Sequence, residues 1–150
     1  MDAAAQIRAA RLRAGLTQQQ LAELSGVRQP NIAAYELGRR RPSQSMLKRL
    51  LHAARPRPSA ALEANRAAIR DVAARHHAYD IRVFGSVARH TDSSDSDLDL
   101  LVTFDENATL LDHAKLIDDL QDLLGLPVDV VSSASLRERD KAICAEAVPV

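Results

Sequence analysis

Residues 84–102 read FGSVARHTDSSDSDLDLLV, and the run continues to Phe104. The last part has the alternation of a half-buried strand, whose side chains change face at every residue. Leu98, Leu100, Val102 and Phe104 then share one face, and Asp97, Asp99, Leu101 and Thr103 share the other. Two neighbouring carboxylates on one face repel each other unless a cation or a proton sits between them. A bound cation is therefore expected at the head of this strand. Upstream, Gly85 and Ser86 precede Asp97 by ten intervening residues. A glycine lets a phosphate approach the backbone closely, and a serine hydroxyl beside backbone N–H groups can hold its oxygens. Asp97 and Asp99 suit Mg²⁺, which binds through one or two carboxylates plus substrate phosphates. A third acid should come from a neighbouring strand, and PVDVV (127–131) supplies Asp129, costly among valines unless paired or metal-bound. Two such ions can stabilise the attacking and leaving oxygens of an in-line displacement.

Working outward, residues 60–150 alternate between helix and strand patterns. SAALEANRAAIRDVAARH is read as a helix with Leu62, Ile69 and Val72 on one stripe, IRVFG as a strand and DLDLLVTF as a second. TLLDHAKLIDDLQDLLG is expected to be a helix burying Leu110, Ala114, Ile117, Leu120 and Leu124. PVDVV is the third strand, and Ser135 with Glu138 forms a capping box for a last helix carrying Cys144 as a packed small residue. This predicts a small α+β (α/β) domain with a short mixed sheet.

The seam lies in ARPRPSA (54–60), where Pro56 and Pro58 bar a continuous helix. The predicted division is 1–54, a linker at 55–59, and 60–150. The first part reads as an all-α bundle. Thr17 and Gln20 make a capping box for QQQLAELS, Gly26 suits a left-handed turn, a second helix runs from about Gln29 to Leu37, and Ser43 caps QSMLKRLLHA. Leu21, Leu24, Val27, Ile32, Tyr35 and Leu47 are its expected core.

The zero net charge of the 150 residues hides an asymmetry. Residues 1–59 carry 11 Lys and Arg against 3 Asp and Glu, and residues 60–150 carry 9 against 17. One part is built to meet polyanions and the other to handle cations. The single cysteine excludes a disulfide framework and a Cys-rich zinc site, and the chain has no apolar run of membrane length. A cytoplasmic protein without membrane contact is expected.

Two blander readings of the acidic stretch compete with this one. A solvated acidic loop leaves Asp99 inside a strand unexplained. Asp95, Asp97, Asp99 and Glu106 match positions 1, 3, 5 and 12 of a calcium loop, but Leu100 stands where that loop requires glycine. The histidines show no ligand spacing, and His76–His77 is read as a capping or solvated helix end.

LTQQQLAELSGVRQPNIAAYELGRRRPS resembles the phage-repressor-like (Xre/Cro-type) helix-turn-helix family. Such a motif lays its second helix in the major groove. That surface is Arg28, Gln29, Asn31 and Ala34, able to read guanine and adenine edges, while Gln18, Arg39, Arg40 and Arg41 would hold phosphates. Pro30 stands where the family often has a polar reader. The resemblance also implies a bracing pair, Arg11 with Glu36, and a dimer on operator DNA.

The G-S-x10-D-x-D stretch, with Asp129 later and the closing EAVP, resembles the minimal nucleotidyltransferase (MNT) family of the polymerase-beta-like superfamily. The resemblance implies nucleotide binding by Gly85, Ser86 and Arg89, with Asp97, Asp99 and Asp129 as the catalytic and metal-binding acids. Val87 replaces a common arginine and His90 a common glycine. It further implies ATP as substrate, two Mg²⁺ ions, and AMP transfer to a hydroxyl, such as a tyrosine, of a HEPN-domain toxin. The chain would then be the antitoxin of the pair, repressing its own operon as a homodimer on DNA or a hetero-oligomer with the toxin. Two rival readings are a regulator that senses nucleotide without transfer and a small-molecule (aminoglycoside-like) nucleotidyltransferase.

Overall fold

Capping chemistry sets the helices at the N-terminal end of the computed structural model, which describes residues 1–150. Helix α1 (Ala3–Arg13) starts where the Asp2 carboxylate accepts the Ala5 N–H at 2.7 Å. Helix α2 (Gln18–Ser25) opens on a reciprocal box. The Thr17 hydroxyl accepts the Gln20 N–H, and the Gln20 side chain accepts the Thr17 N–H. Gly26, at φ 68°, ends it in the left-handed turn expected there. Helices α3 (Gln29–Glu36) and α4 (Gln44–Ala53) follow, with Pro30 tolerated in the first turn of α3 and Ser43 capping α4.

Ile7, Leu21, Val27, Ile32, Tyr35 and Leu50 form the core of this unit, with Leu47 packed at its margin. Leu24 departs from expectation and is 62% exposed. Leu21, Ala22 and Ser25 define the buried stripe of α2, and Leu24 lies about 60° beyond its edge. Arg11 braces α1 against α3. Its guanidinium donates to both Glu36 oxygens at 2.6 and 2.9 Å and to the Leu16 carbonyl at 2.9 Å. Burial pushes the Glu36 carboxyl up, but the Arg11 and Gln18 hydrogen bonds hold it below the usual range.

The chain divides into units Met1–Pro56 and Arg57–Val150. Helix α5 (Pro58–Arg75) already begins within the expected linker, because Pro58 occupies a first-turn position where its missing N–H costs nothing. It departs from helical geometry at Asn65, whose side chain donates to the Ala61 carbonyl. Next come β1 (Ala78–Phe84), the short α6 (Gly85–Ala88), β2 (Leu98–Phe104), α7 (Leu110–Leu124) and β3 (Val128–Ser132). Two 3-10 turns, α8 (Lys141–Glu146) and β4 (Val148–Pro149) complete the chain. The mixed sheet has the order β3-β2-β1-β4, with β2 parallel to β3 and β1 antiparallel to β2 and β4. This is the predicted class, an all-α bundle followed by a small α/β domain.

Leu98, Leu100 and Val102, with Val128 and Val130, face a core shared with Leu62, Ile69 and Val72 of α5 and Leu116, Leu120 and Leu124 of α7. The α7 stripe differs from the sequence expectation: Leu110 is 89% exposed and Ala114 is also exposed. The buried leucines recur every four residues from Leu116, which leaves Leu110 and Ala114 to one side. The capping box at Ser135 is absent as well. The Ser135 hydroxyl donates back to the Ser132 carbonyl, and Asp140 accepts the Arg137 N–H ahead of a shorter α8. Cys144 is exposed on α8 instead of packed. His76, far from solvated, is buried beside α7, its Nε2 2.6 Å from Asp119.

The loop from α6 to β2 is pinned from below. Asp92 is buried, accepts the Ser59 N–H at 2.9 Å in the first turn of α5, and pairs with Arg57 at 3.5 Å. Against the upward push of burial, Ser59 and then Arg57 hold its carboxyl below the ordinary range. Asp92→Ala should therefore destabilise the C-terminal unit by about 1–3 kcal/mol in urea unfolding at neutral pH. A carboxyl depressed in the folded state contributes its stability above the ordinary aspartate value, and loses it as pH falls through the folded value. The wild-type and variant curves should converge on acidification, and a pH-independent gap would refute this account.

Candidate functional site

Sheet register brings the acids together. In the parallel pair Asp99 stands opposite Asp129, and in the antiparallel pair Phe84 stands opposite Asp99. Partners in register share a face, so Asp99 and Asp129 lie side by side, with Asp97 on the same face one step before β2. This is the face away from the helix-covered core. Asp129 is exposed instead of buried among its valines, because β3 is an edge strand and the valines at 128 and 130 point to the other side. Asp97 is exposed and Asp99 half-buried.

Gly85 closes the arrangement from β1. It is buried at φ 72°, and a Cβ there would come 2.3 Å from Asp99 Oδ2. Its missing side chain makes room for the aspartate. Ser86 is half-buried, and its carbonyl accepts the Thr91 N–H at 2.9 Å, turning the chain out of α6. Val87 is part of the core. His90 holds φ 60°, a left-handed conformation that glycine adopts without strain. The following serines are folded into a tight turn, Ser93 N–H donating to the Ser96 hydroxyl and Asp95 N–H to that of Ser93.

Burial, then Asp129 and Asp97, push the Asp99 carboxyl above the usual aspartate range, while Arg89 pulls the other way. An acid crowded by two others in this way is relieved by a divalent cation. The three acids do not by themselves form a group that could hold a metal ion. Carboxylate oxygens are the donor type Mg²⁺ takes, and Asp97, Asp99 and Asp129 are the residues that would hold it. Arg89 is exposed at the edge of this face, where Glu146 of α8 meets it. Glu146 also accepts the Gly85 N–H at 2.9 Å. No reading of the sequence singled out Glu146. Its only signal was its place in the closing EAVP.

In the N-terminal unit the predicted readers cluster on α3. Arg28 precedes the helix and is exposed, while Gln29, Asn31 and Ala34 are partly exposed along it. Gln29 donates to Gln18, which itself donates to Glu36, so Gln18 belongs to the Arg11–Glu36 network at the start of α2. Arg39, Arg40 and Arg41 are exposed after α3, with Arg40 reaching Asn31 and lying over the Tyr35 ring.

A nucleotidyltransferase domain family model matches residues 66–149, more than half of the chain. The chain belongs to the nucleotidyltransferase domain family. A helix-turn-helix model matches residues 7–55, so the family domain here follows a helix-turn-helix unit. Protein adenylyltransferase MntA of Thermococcus cleftensis is 47% identical over 58 residues, covering 39% of this chain and 59% of that protein. A Methanocaldococcus jannaschii protein, provisionally designated protein adenylyltransferase MJ1379, is 40% identical over 58 residues, with 37% and 58% covered. The chain thus spans about three-fifths of the length of these relatives. A solved structure, provisionally described as a minimal nucleotidyltransferase, is 49% identical with a TM-score of 0.56, covering 61% of this chain and 95% of that one.

The crowding at Asp99 has a measurable consequence. A carboxyl raised by folding opposes stability once ionised. Asp99→Asn should therefore raise the thermal midpoint at neutral pH in metal-free buffer, and added Mg²⁺ should stabilise the wild type more than the variant. A lower midpoint for the variant, or equal Mg²⁺ effects, would contradict this electrostatic account.

Proposed function

We propose that the chain is the antitoxin of a HEPN/MNT-type pair, transferring AMP from Mg-ATP to a hydroxyl, a tyrosine by preference, of its toxin, and repressing its own operon through the helix-turn-helix. The observation that carries this reading is the line of carboxylates at Asp97, Asp99 and Asp129, set against Gly85, whose missing side chain leaves room for Asp99. Those acids would hold the metal, and Gly85, Ser86 and Arg89 would bind the triphosphate. Mg²⁺, when bound, neutralises the phosphates and the departing charge. The acceptor oxygen bonds to the α-phosphorus, and the bond to the bridging oxygen of the β-phosphate breaks. Pyrophosphate leaves with that electron pair. Asp129 is assigned the acceptor's proton, since it is the exposed member of the Asp99–Asp129 pair. The exposure of Asp97 and Asp129 favours an acceptor carried by another protein over a molecule enclosed in a pocket.

The decisive measurement is the intact mass of a HEPN-domain protein encoded beside this chain, after incubation with it, Mg²⁺ and ATP. One or more added AMP units are expected, and none with Asp97→Asn combined with Asp99→Asn, which should still bind DNA. ATP binding and a stable complex without any mass gain would favour the nucleotide-sensing regulator instead.

For the operator, Arg28→Ala should weaken specific binding by about 1–3 kcal/mol while leaving nonspecific binding nearly unchanged. Titration of operator and scrambled duplexes at one salt concentration checks this. An equal loss on both would make Arg28 a phosphate contact.

A further inference from the structure

Glu146 lies on the two groups that the nucleotide reading reserves for phosphate. Its Oε1 accepts the Gly85 N–H at 2.9 Å, and Arg89 Nη1 donates to Oε1 at 3.2 Å and Oε2 at 3.0 Å. A carboxylate that takes one backbone N–H and one guanidinium makes the contacts a phosphate oxygen pair would make. It also adds a fourth negative charge near Asp99, already crowded by Asp97 and Asp129.

We propose that Glu146 is a built-in competitor for polyphosphate, a residue that sets nucleotide affinity by occupying Gly85 and Arg89 until a triphosphate displaces it. The proposal rests on the nucleotide-binding reading above. Its mechanics require little. Helix α8 has six residues, none of them buried, and the Glu146 and Arg89 side chains are 28% and 56% exposed. Rotation of the glutamate side chain alone frees both groups, without unpacking the core. The competition gives selectivity as well. A monophosphate carries too little charge to exceed the glutamate at Arg89, whereas a metal-bound triphosphate brings several oxygens to the same two groups and a cation to the acids. The opposing view makes Glu146 a brace that keeps Gly85 in its left-handed turn, so that its loss would weaken nucleotide binding.

The two views predict opposite signs in calorimetric titrations with Mg-ATP and with inorganic tripolyphosphate. Glu146→Gln is isosteric, keeps an acceptor for Gly85 and loses the charge pair with Arg89. It should bind both probes about three- to tenfold more tightly than the wild type, within the net range of one ordinary hydrogen bond. Arg89→Ala should cost more affinity in the Glu146→Gln background than in the wild type, where Arg89 is already engaged. A measurement on the unmutated protein guards against a folding defect. The carboxyl carbon resonance of Glu146 should move on adding tripolyphosphate, and fail to move with equimolar inorganic phosphate. Unchanged or weaker binding by Glu146→Gln, or a stationary resonance while the wild type binds Mg-ATP, overturns the competitor and leaves the nucleotide reading standing. Absence of Mg-ATP binding by both proteins overturns the two together.

Discussion

Three carboxylates in register on one face of a small sheet repel one another, and much of the C-terminal unit is arranged around holding them there. Asp99 cannot retreat, since β2 is the second strand of the sheet, with Leu98 and Leu100 locked into the core on either side of it. Gly85 gives it room by having no side chain, at a backbone conformation other residues adopt poorly. Asp97 sits at the end of a loop whose far side is fixed by the buried Asp92 at the first turn of α5. The uncompensated charge is a cost in stability of the kind that functional sites carry.

The N-terminal unit solves a different problem with similar means. Its helices are short, and helices of eight residues are not stable alone. Capping at Thr17 and Ser43, a small apolar core and the Arg11–Glu36 brace hold them. Because the brace uses both carboxylate oxygens and recruits Gln18 and through it Gln29, the orientation of the reading helix is tied to the internal polar network. The arginines after α3 lie outside this network and are exposed.

The placement of Glu146 connects the end of the chain to the site. Helix α8 touches the core weakly, yet its glutamate carries a hydrogen bond to Gly85 and an ion pair to Arg89. The Gly85 N–H and then Arg89 hold that carboxyl below the usual glutamate range, so it is charged across the physiological range.

What the sequence by itself determined is local. The helix starts at Gln18 and Gln44 follow from caps three residues apart, the inward face of Leu98, Leu100 and Val102 from the two-residue strand period, and the acidic pair at 97 and 99 from spacing alone. Each depends on neighbours within a turn or a pleat. The full burial of Leu101 on the Asp99 face does not follow in this way. The failures are also local readings carried too far: Leu24, Leu110 and Cys144 are apolar or small and yet exposed, because burial depends on what packs opposite an element. The sequence named Asp129 as the acid of a neighbouring strand, but tertiary structure decided that it stands beside Asp99 in the open, that Asp92 is buried beneath the site loop, and that Glu146 lies on Gly85. Those contacts join residues 30 to 61 positions apart. Strand register and side-chain packing set them, and no short-range pattern in the chain encodes either.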